Sequence, residues 1–143
     1  MRKENGMNIF EIIGPVMVGP SSSHTAGAAR IGFVARNLLG EEVKEAEILL
    51  YGSFLATGRG HGTDRALVGG LMGMKPDDYR IPNSIEIAKE RGIKLSFGEA
   101  ILKEGHPNSA LLRLKGESGK KLEIIGESLG GGRINIAQID GIE

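Results

Sequence analysis

Glycine punctuation constrains this chain more than any other feature, since 23 of its 143 residues are glycine, about one in six against a usual ~7%. Backbone freedom and close backbone approach therefore do much of the structural work, and aromatics, at 4% with no Trp, do little. No apolar segment approaches the ~20 residues of a membrane span. The run from Ile9 to Val18 is interrupted by Glu11, Gly14 and Pro15, and the polar opening Met1 to Gly6 is not followed by the unbroken apolar stretch of a signal peptide. The expected location is cytoplasmic, with Met1 and Met7 both open as native starts. A chain of 143 residues suits one domain that buries about two thirds of its unfolded surface without staples. It has no cysteine, which excludes a disulfide framework, a Cys zinc site and an iron-sulfur cluster held by this chain alone. Eighteen basic and eighteen acidic side chains balance, so no net field draws in nucleic acid or an anionic membrane, and any site must be local.

Periodicity places the elements. Ala28, Ala29, Ile31, Val34, Ala35, Leu38 and Leu39 recur at helical spacing between Thr25 and Leu39, with Ser22 or Ser23 as N-cap and Gly40 as the stop. Ala46, Ile48 and Leu50 alternate with Glu45, Glu47 and Leu49 in a strand from Lys44 to Tyr51, closed by Gly52. A second helix starts at Thr63 or Asp64 and stops at Gly73; after a connector from Met74 to Pro82, a short helix from Ile85 ends at Arg91-Gly92. Strands follow at Ile93 to Phe97, Ala110 to Lys115, Leu122 to Ser128 and Arg133 to Gly141, the second and third of these joined by the turn Glu117 to Lys120. Helices early and hairpins late predict an α+β sandwich with helices on one face of the sheet.

Two loops carry the chemistry. Gly19-Pro-Ser-Ser-Ser-His-Thr25 sets Ser21, Ser22, Ser23, His24 and Thr25 at a helix start, where orphan N–H groups and the positive end of the dipole favour a carboxylate or phosphate. One serine suffices for a cap; three with a histidine exceed that need. Gly58-Arg-Gly-His-Gly-Thr-Asp64 repeats the logic, because its alternating glycines let the backbone pass close to a ligand while His61, Gly62, Thr63 and Asp64 lead into the second helix. The glycine order is wrong for a dinucleotide fingerprint, and no βαβ pattern with a downstream acid follows. His24, His61 and His106 are the only histidines; their spacing argues against zinc, His106 reads as a surface turn, and Arg133 after Gly130-Gly-Gly132 as a solvated side chain. No metal ligand is assigned.

Taken together, Gly19-Pro-Ser-Ser-Ser-His-Thr25, Tyr51-Gly-Ser53, Gly58-Arg-Gly-His-Gly-Thr-Asp64 and Gly130-Gly-Gly-Arg-Ile-Asn-Ile136 resemble the beta-chain family of the iron-sulfur-dependent L-serine dehydratases (L-serine ammonia-lyases). The resemblance implies an α-β-α-β-β-β arrangement on a small mixed sheet, similar to the regulatory substrate-binding domain inserted in some D-3-phosphoglycerate dehydrogenases. It implies a subunit, inactive alone, of an enzyme converting L-serine to pyruvate and ammonia, with a [4Fe-4S] cluster carried by a separate alpha chain. The beta-chain domain is expected over residues 7–143, after a polar extension 1–6. Many such chains continue into an ACT domain; the sequence reaches Glu143 where one would begin, and none is expected within it.

Mapped by this resemblance, Ser23, His24, His61 and Thr63 match the family's active-site contributions. His61, His24 and Thr63 are expected to be catalytic and Ser21, Ser22, Ser23, Thr25, Gly62 and Asp64 to bind substrate. Imidazole suits removal of the α-proton at neutral pH, which makes His61 the first candidate base and leaves His24 to hold the carboxylate or orient a neighbour, unless the alpha chain supplies the base. Expected partners are the alpha chain, L-serine and a second copy in a homodimer, with no nucleic acid and no membrane. The competing readings are a stand-alone anion- or amino-acid-sensing regulatory module and a histidine-based metalloenzyme.

Overall fold

The computed structural model describes residues 23–57, 62–102 and 105–142, with the side chains of Ser23, His24, Thr57, Gly141 and Ile142 outside that description. The first helix, α1 (Ser23–Leu39), turns Ala28, Ala29, Ile31, Ala35 and Leu39 into the interior, each fully buried. Gly40 ends it in the left-handed region (φ 80°), its N–H donating to Arg36 O at 3.0 Å, the expected glycine stop. The chain continues through β1 (Val43–Gly52), the single-turn α2 (Ser53–Thr57) and α3 (Thr63–Leu71). A 3-10 turn at Ile81–Asn83 runs into α4 (Ser84–Glu90), followed by β2 (Lys94–Glu99), β3 (Asn108–Gly116), β4 (Lys121–Gly130) and β5 (Arg133–Ile142).

The five strands form one mixed sheet in the order β2-β1-β3-β4-β5, with β1 and β2 parallel and every other pair antiparallel. Ile48, Leu112 and Ile124 lie in register across β1, β3 and β4, as do Ala46, Leu114 and Leu122, and all six are buried. Helix α1 packs on this face and α3 packs against α1; a fully buried Ile or Leu there contributes about 1.5 to 3 kcal/mol. Close approach depends on glycine. A Cβ on Gly126 of β4 would lie 2.6 Å from Ile31 Cγ2, and Cβ atoms on Gly32 and Gly70, where α1 meets α3, would collide with the carbonyl oxygens of Leu67 and Ala29. On the opposite face Arg113 donates to Glu123 (2.7 Å) and Glu47 (3.2 Å) in a three-strand charge ladder. No helix among the described residues is long and apolar enough to cross a membrane.

The α+β architecture with helices packed on one face of a small mixed sheet is as expected, and all five strands fall where alternation placed them. Alternation did not reveal α2. Its five residues make little more than one turn, too short for a period, and it is held by Phe54, which is fully buried. The 3-10 turn inside the expected connector escaped for the same reason of length.

Candidate functional site

Helices α1 and α3 begin side by side at one end of the sheet. Gly62 precedes α3 with φ 85°, a conformation that L side chains rarely adopt, and a Cβ built there would sit 3.6 Å from Thr25 Cγ2 of α1. The two glycine-rich motifs read from the sequence as partners therefore meet through Thr25 and Gly62. Thr25 (5% exposed), Thr63 (0%) and Asp64 (6%) are all buried at this meeting point. Ser23 and His24 are the first two residues of α1. Ser21, Ser22 and His61 lie outside the described residues, as does the cap position immediately before α1.

The electrostatics of the α3 start are specific. Asp64 occupies the first turn, its Oδ1 accepting from the Arg65 N–H at 2.8 Å, so a carboxylate already sits against the positive end of this helix. Thr63 is different: its Oγ1 is fully buried and has no hydrogen-bond partner among the described residues. A buried hydroxyl without a partner costs about 1 to 3 kcal/mol.

Two further segments come to the same end. The glycine turn between β4 and β5 has all three of Gly130, Gly131 and Gly132 at positive φ, and a Cβ on Gly132 would lie 3.5 Å from Arg30 Nε and 3.8 Å from Ala26 Cβ. The turn thus lies over the first two turns of α1, beside Arg30, which sequence reasoning passed over; Arg133 is exposed, as expected. His106 lies in the connection that leads into β3 and is half-buried there. Its Nδ1 accepts from the Asn108 N–H at 3.0 Å and its carbonyl from Ser109 Oγ at 2.6 Å, while Pro107 O accepts from the Ser53 N–H at 2.6 Å. The turn at Gly105 to Asn108 is thereby clamped to the end of β1, where Gly52 (φ 65°) has no room for a side chain against Pro107. The signal available beforehand was the string His-Pro-Asn-Ser, a proline-fixed turn rich in short polar groups.

Two open recesses lie elsewhere. One of about 440 Å³ is mostly apolar and includes Tyr51, Leu55, Ile101 and Pro107; one of about 470 Å³ lies over the charge ladder, beside Glu47, Lys94 and Arg113. Neither includes Thr25, Gly62, Thr63 or Asp64. Among the described residues no cluster of His, Cys, Asp or Glu has the geometry to hold a metal ion.

The serine dehydratase beta chain family model matches residues 7–96. The chain belongs to the serine dehydratase beta chain family. It is 49% identical over 136 residues, 95% of its length, to a probable L-serine dehydratase beta chain of Bacillus subtilis, and 48% identical over 134 residues, 93% of its length, to the L-serine dehydratase beta chain of Peptoniphilus asaccharolyticus. It spans 61% and 60% of those two proteins. L-serine dehydratase 2 of Escherichia coli is 38% identical over 95 residues, 20% of that protein. For this serine dehydratase beta-chain domain the family resemblance read from the four motifs is thus shown. The family match takes in the serine loop and the Gly58–Asp64 motif, the two segments that meet at Thr25 and Gly62.

Proposed function

We propose that this chain is one part of a two-chain L-serine ammonia-lyase, supplying the α1 and α3 starts to a site completed by an alpha chain, where L-serine is converted to pyruvate and ammonia. The observation that carries the reading is the meeting of the two motif-bearing helix starts at Thr25 and Gly62, beside a buried Thr63 hydroxyl that has no hydrogen-bond partner among the described residues. The named relatives supply the substrate and the existence of a second chain.

The roles follow from charge. The α1 start, with the hydroxyls of Ser21, Ser22, Ser23 and Thr25, suits the carboxylate of serine. The Asp64 side chain already accepts from the Arg65 N–H at the start of α3, so it suits the substrate ammonium rather than the carboxylate. Thr63 donates to or accepts from the substrate, and Gly62 keeps the backbone close. His61 takes the α-proton, and His24 holds or orients the carboxylate. Departure of the β-hydroxyl needs an electrophile, which a [4Fe-4S] cluster supplies when bound. With no cysteine and no metal-holding cluster among the described residues, this chain does not fit as the cluster's host, and the cluster is assigned to the alpha chain. The chain is proposed to act in the cytoplasm.

Reconstitution with the alpha chain tests the roles. His61→Ala should lower kcat by about 10² to 10⁴, the usual worth of a general acid or base. His24→Ala should mainly raise KM, as loss of uniform ground-state binding does. Near-wild-type kcat for His61→Ala removes it from proton transfer and places the base on the alpha chain.

A further inference from the structure

We propose that His106 is a positioning residue for the serine reaction: its ring fixes the turn before β3, and that turn fixes α2, the element that leads into the Gly58–Asp64 motif. The inference rests on the proposed function, in which Thr63 and Asp64 meet the substrate. His106 is remote in sequence from both motifs. Its turn nevertheless lies against the end of β1 from which α2 starts, Gly52 standing opposite Asn108 in the register.

The chemistry of the turn explains why a histidine serves there. Pro107 has no N–H and disfavours helical backbone at residue 106, so no main-chain donor at 107 can close the turn. Residue 106 closes it instead. Its Nδ1 accepts from the Asn108 N–H at 3.0 Å, and its carbonyl accepts from the Oγ of fully buried Ser109 at 2.6 Å. A side chain accepting from the N–H two residues on is the pattern by which Asn and Asp build turns. Nδ1 is bonded to Cγ, as Oδ1 of an asparagine is, so the imidazole presents its lone pair at the same point in the chain of bonds. To accept there, the ring carries its proton on Nε2. The ladder between β3 and β4 begins at Ser109, and the ring takes the Asn108 N–H one residue outside it.

The turn acts on α2 through its middle residue. Pro107 O accepts from the Ser53 N–H at 2.6 Å, and Ser53 opens α2, so the bond satisfies one of the N–H groups that a helix start leaves without an intrahelical partner. A helix of five residues is too short to hold itself. This bond and the full burial of Phe54 beside it place α2. Gly52, at φ 65°, permits the approach, since a Cβ there would collide with Pro107 O. The chain then runs on to Gly62, Thr63 and Asp64, where it meets Thr25. Freeing the turn lets the start of α2 shift, and a displacement of about 1 Å at groups that hold a substrate can cost up to ~10²-fold in rate.

Variants at one position separate this role from a merely structural one. His106→Ala removes the acceptor, His106→Gln moves it one bond outward, and His106→Asn keeps it. In the isolated chain, amide hydrogen exchange at Ser53 and Asn108 should quicken about tenfold in the Ala and Gln variants. The amide signals of Gly62 to Asp64 should shift with it, and the Asn variant should match wild type on both. In the reconstituted enzyme, KM for L-serine should rise about tenfold in the Ala and Gln variants and return to within about twofold of wild type in the Asn variant. Loss of folded protein alone would lower the apparent kcat and leave KM unchanged. Unmoved Gly62–Asp64 amides, an unchanged KM, or an Asn variant no better than Ala would overturn the proposal. A wild-type mixture that forms no pyruvate would instead overturn the proposed function, and the amide comparison in the isolated chain would then decide whether His106 positions the α3 start.

Discussion

Thr63 and Asp64 are adjacent, equally sheltered and opposite in their accounting of polar atoms. Asp64 accepts from the Arg65 N–H, whereas the Thr63 hydroxyl is desolvated with no partner among the described residues. Thr63→Val keeps the shape and removes the stranded group, so the isolated chain should gain about 1 kcal/mol, read as a higher urea midpoint, while the reconstituted enzyme should lose activity. A destabilised variant with full activity would make the hydroxyl structural. Glu41 gives a residue-scale test of the hairpin between β3 and β4. The backbone N–H of Ser118 and then its hydroxyl donate to the Glu41 carboxylate and hold its pKa below the ordinary glutamate value. A depressed folded pKa contributes stability that is complete above the unfolded value of ~4.3 and is lost as pH falls through the folded one. On acidification the Ser118 amide resonance should shift with a midpoint below that of an ordinary glutamate, and the shift should vanish in Glu41→Gln; a midpoint at or above the ordinary value would remove the contact. The sequence singled out Thr63 by its loop, but its isolation was not legible there, because it depends on what packs around the α3 start.

At the scale of elements, the crossing of α1 over α3 rests on glycine. Ala is a better helix former than Gly by about 1 kcal/mol, so Gly70→Ala would stabilise an isolated α3. Here the added Cβ meets the Ala29 carbonyl, which is backbone and cannot swing aside, and overpacking of that kind costs about 1 to 3 kcal/mol or more. The clash wins, and Gly70→Ala should lower the thermal midpoint; an unchanged or raised midpoint would mean that the helices separate freely. Gly73, past the end of α3, has open space around its Cβ position, but at φ 92° a side chain is strained there too. Elements long enough to show a period were legible: α1 by its Ala and Ile spacing, β1 by its alternation, and the stops at Gly40 and Gly92 by chemistry that needs positive φ. The five-residue α2 and the clamped turn around His106 were not, since the first is too short to carry a pattern and the second is held by contacts from β1.

For the whole molecule, the sequence suggested that two motifs more than thirty residues apart act together, and the fold, across α1, β1 and α2, brings Thr25 and Gly62 into contact. What sequence could not supply was the reason they meet, the glycine-mediated packing that draws α1 against both α3 and β4. The arrangement puts buried, polar helix starts at one end of the sheet and no cysteine anywhere in the chain, which is what the proposed function asks of a chain that would bind and orient the substrate while its partner holds the cluster. The decisive measurement is pyruvate formation from L-serine by this chain alone, by the alpha chain alone and by the two combined, each checked for native structure. The account predicts no turnover from either chain alone and turnover from the mixture. Pyruvate formation by the folded beta chain on its own, or full activity of the alpha chain without it, would contradict the claim that the two share one site.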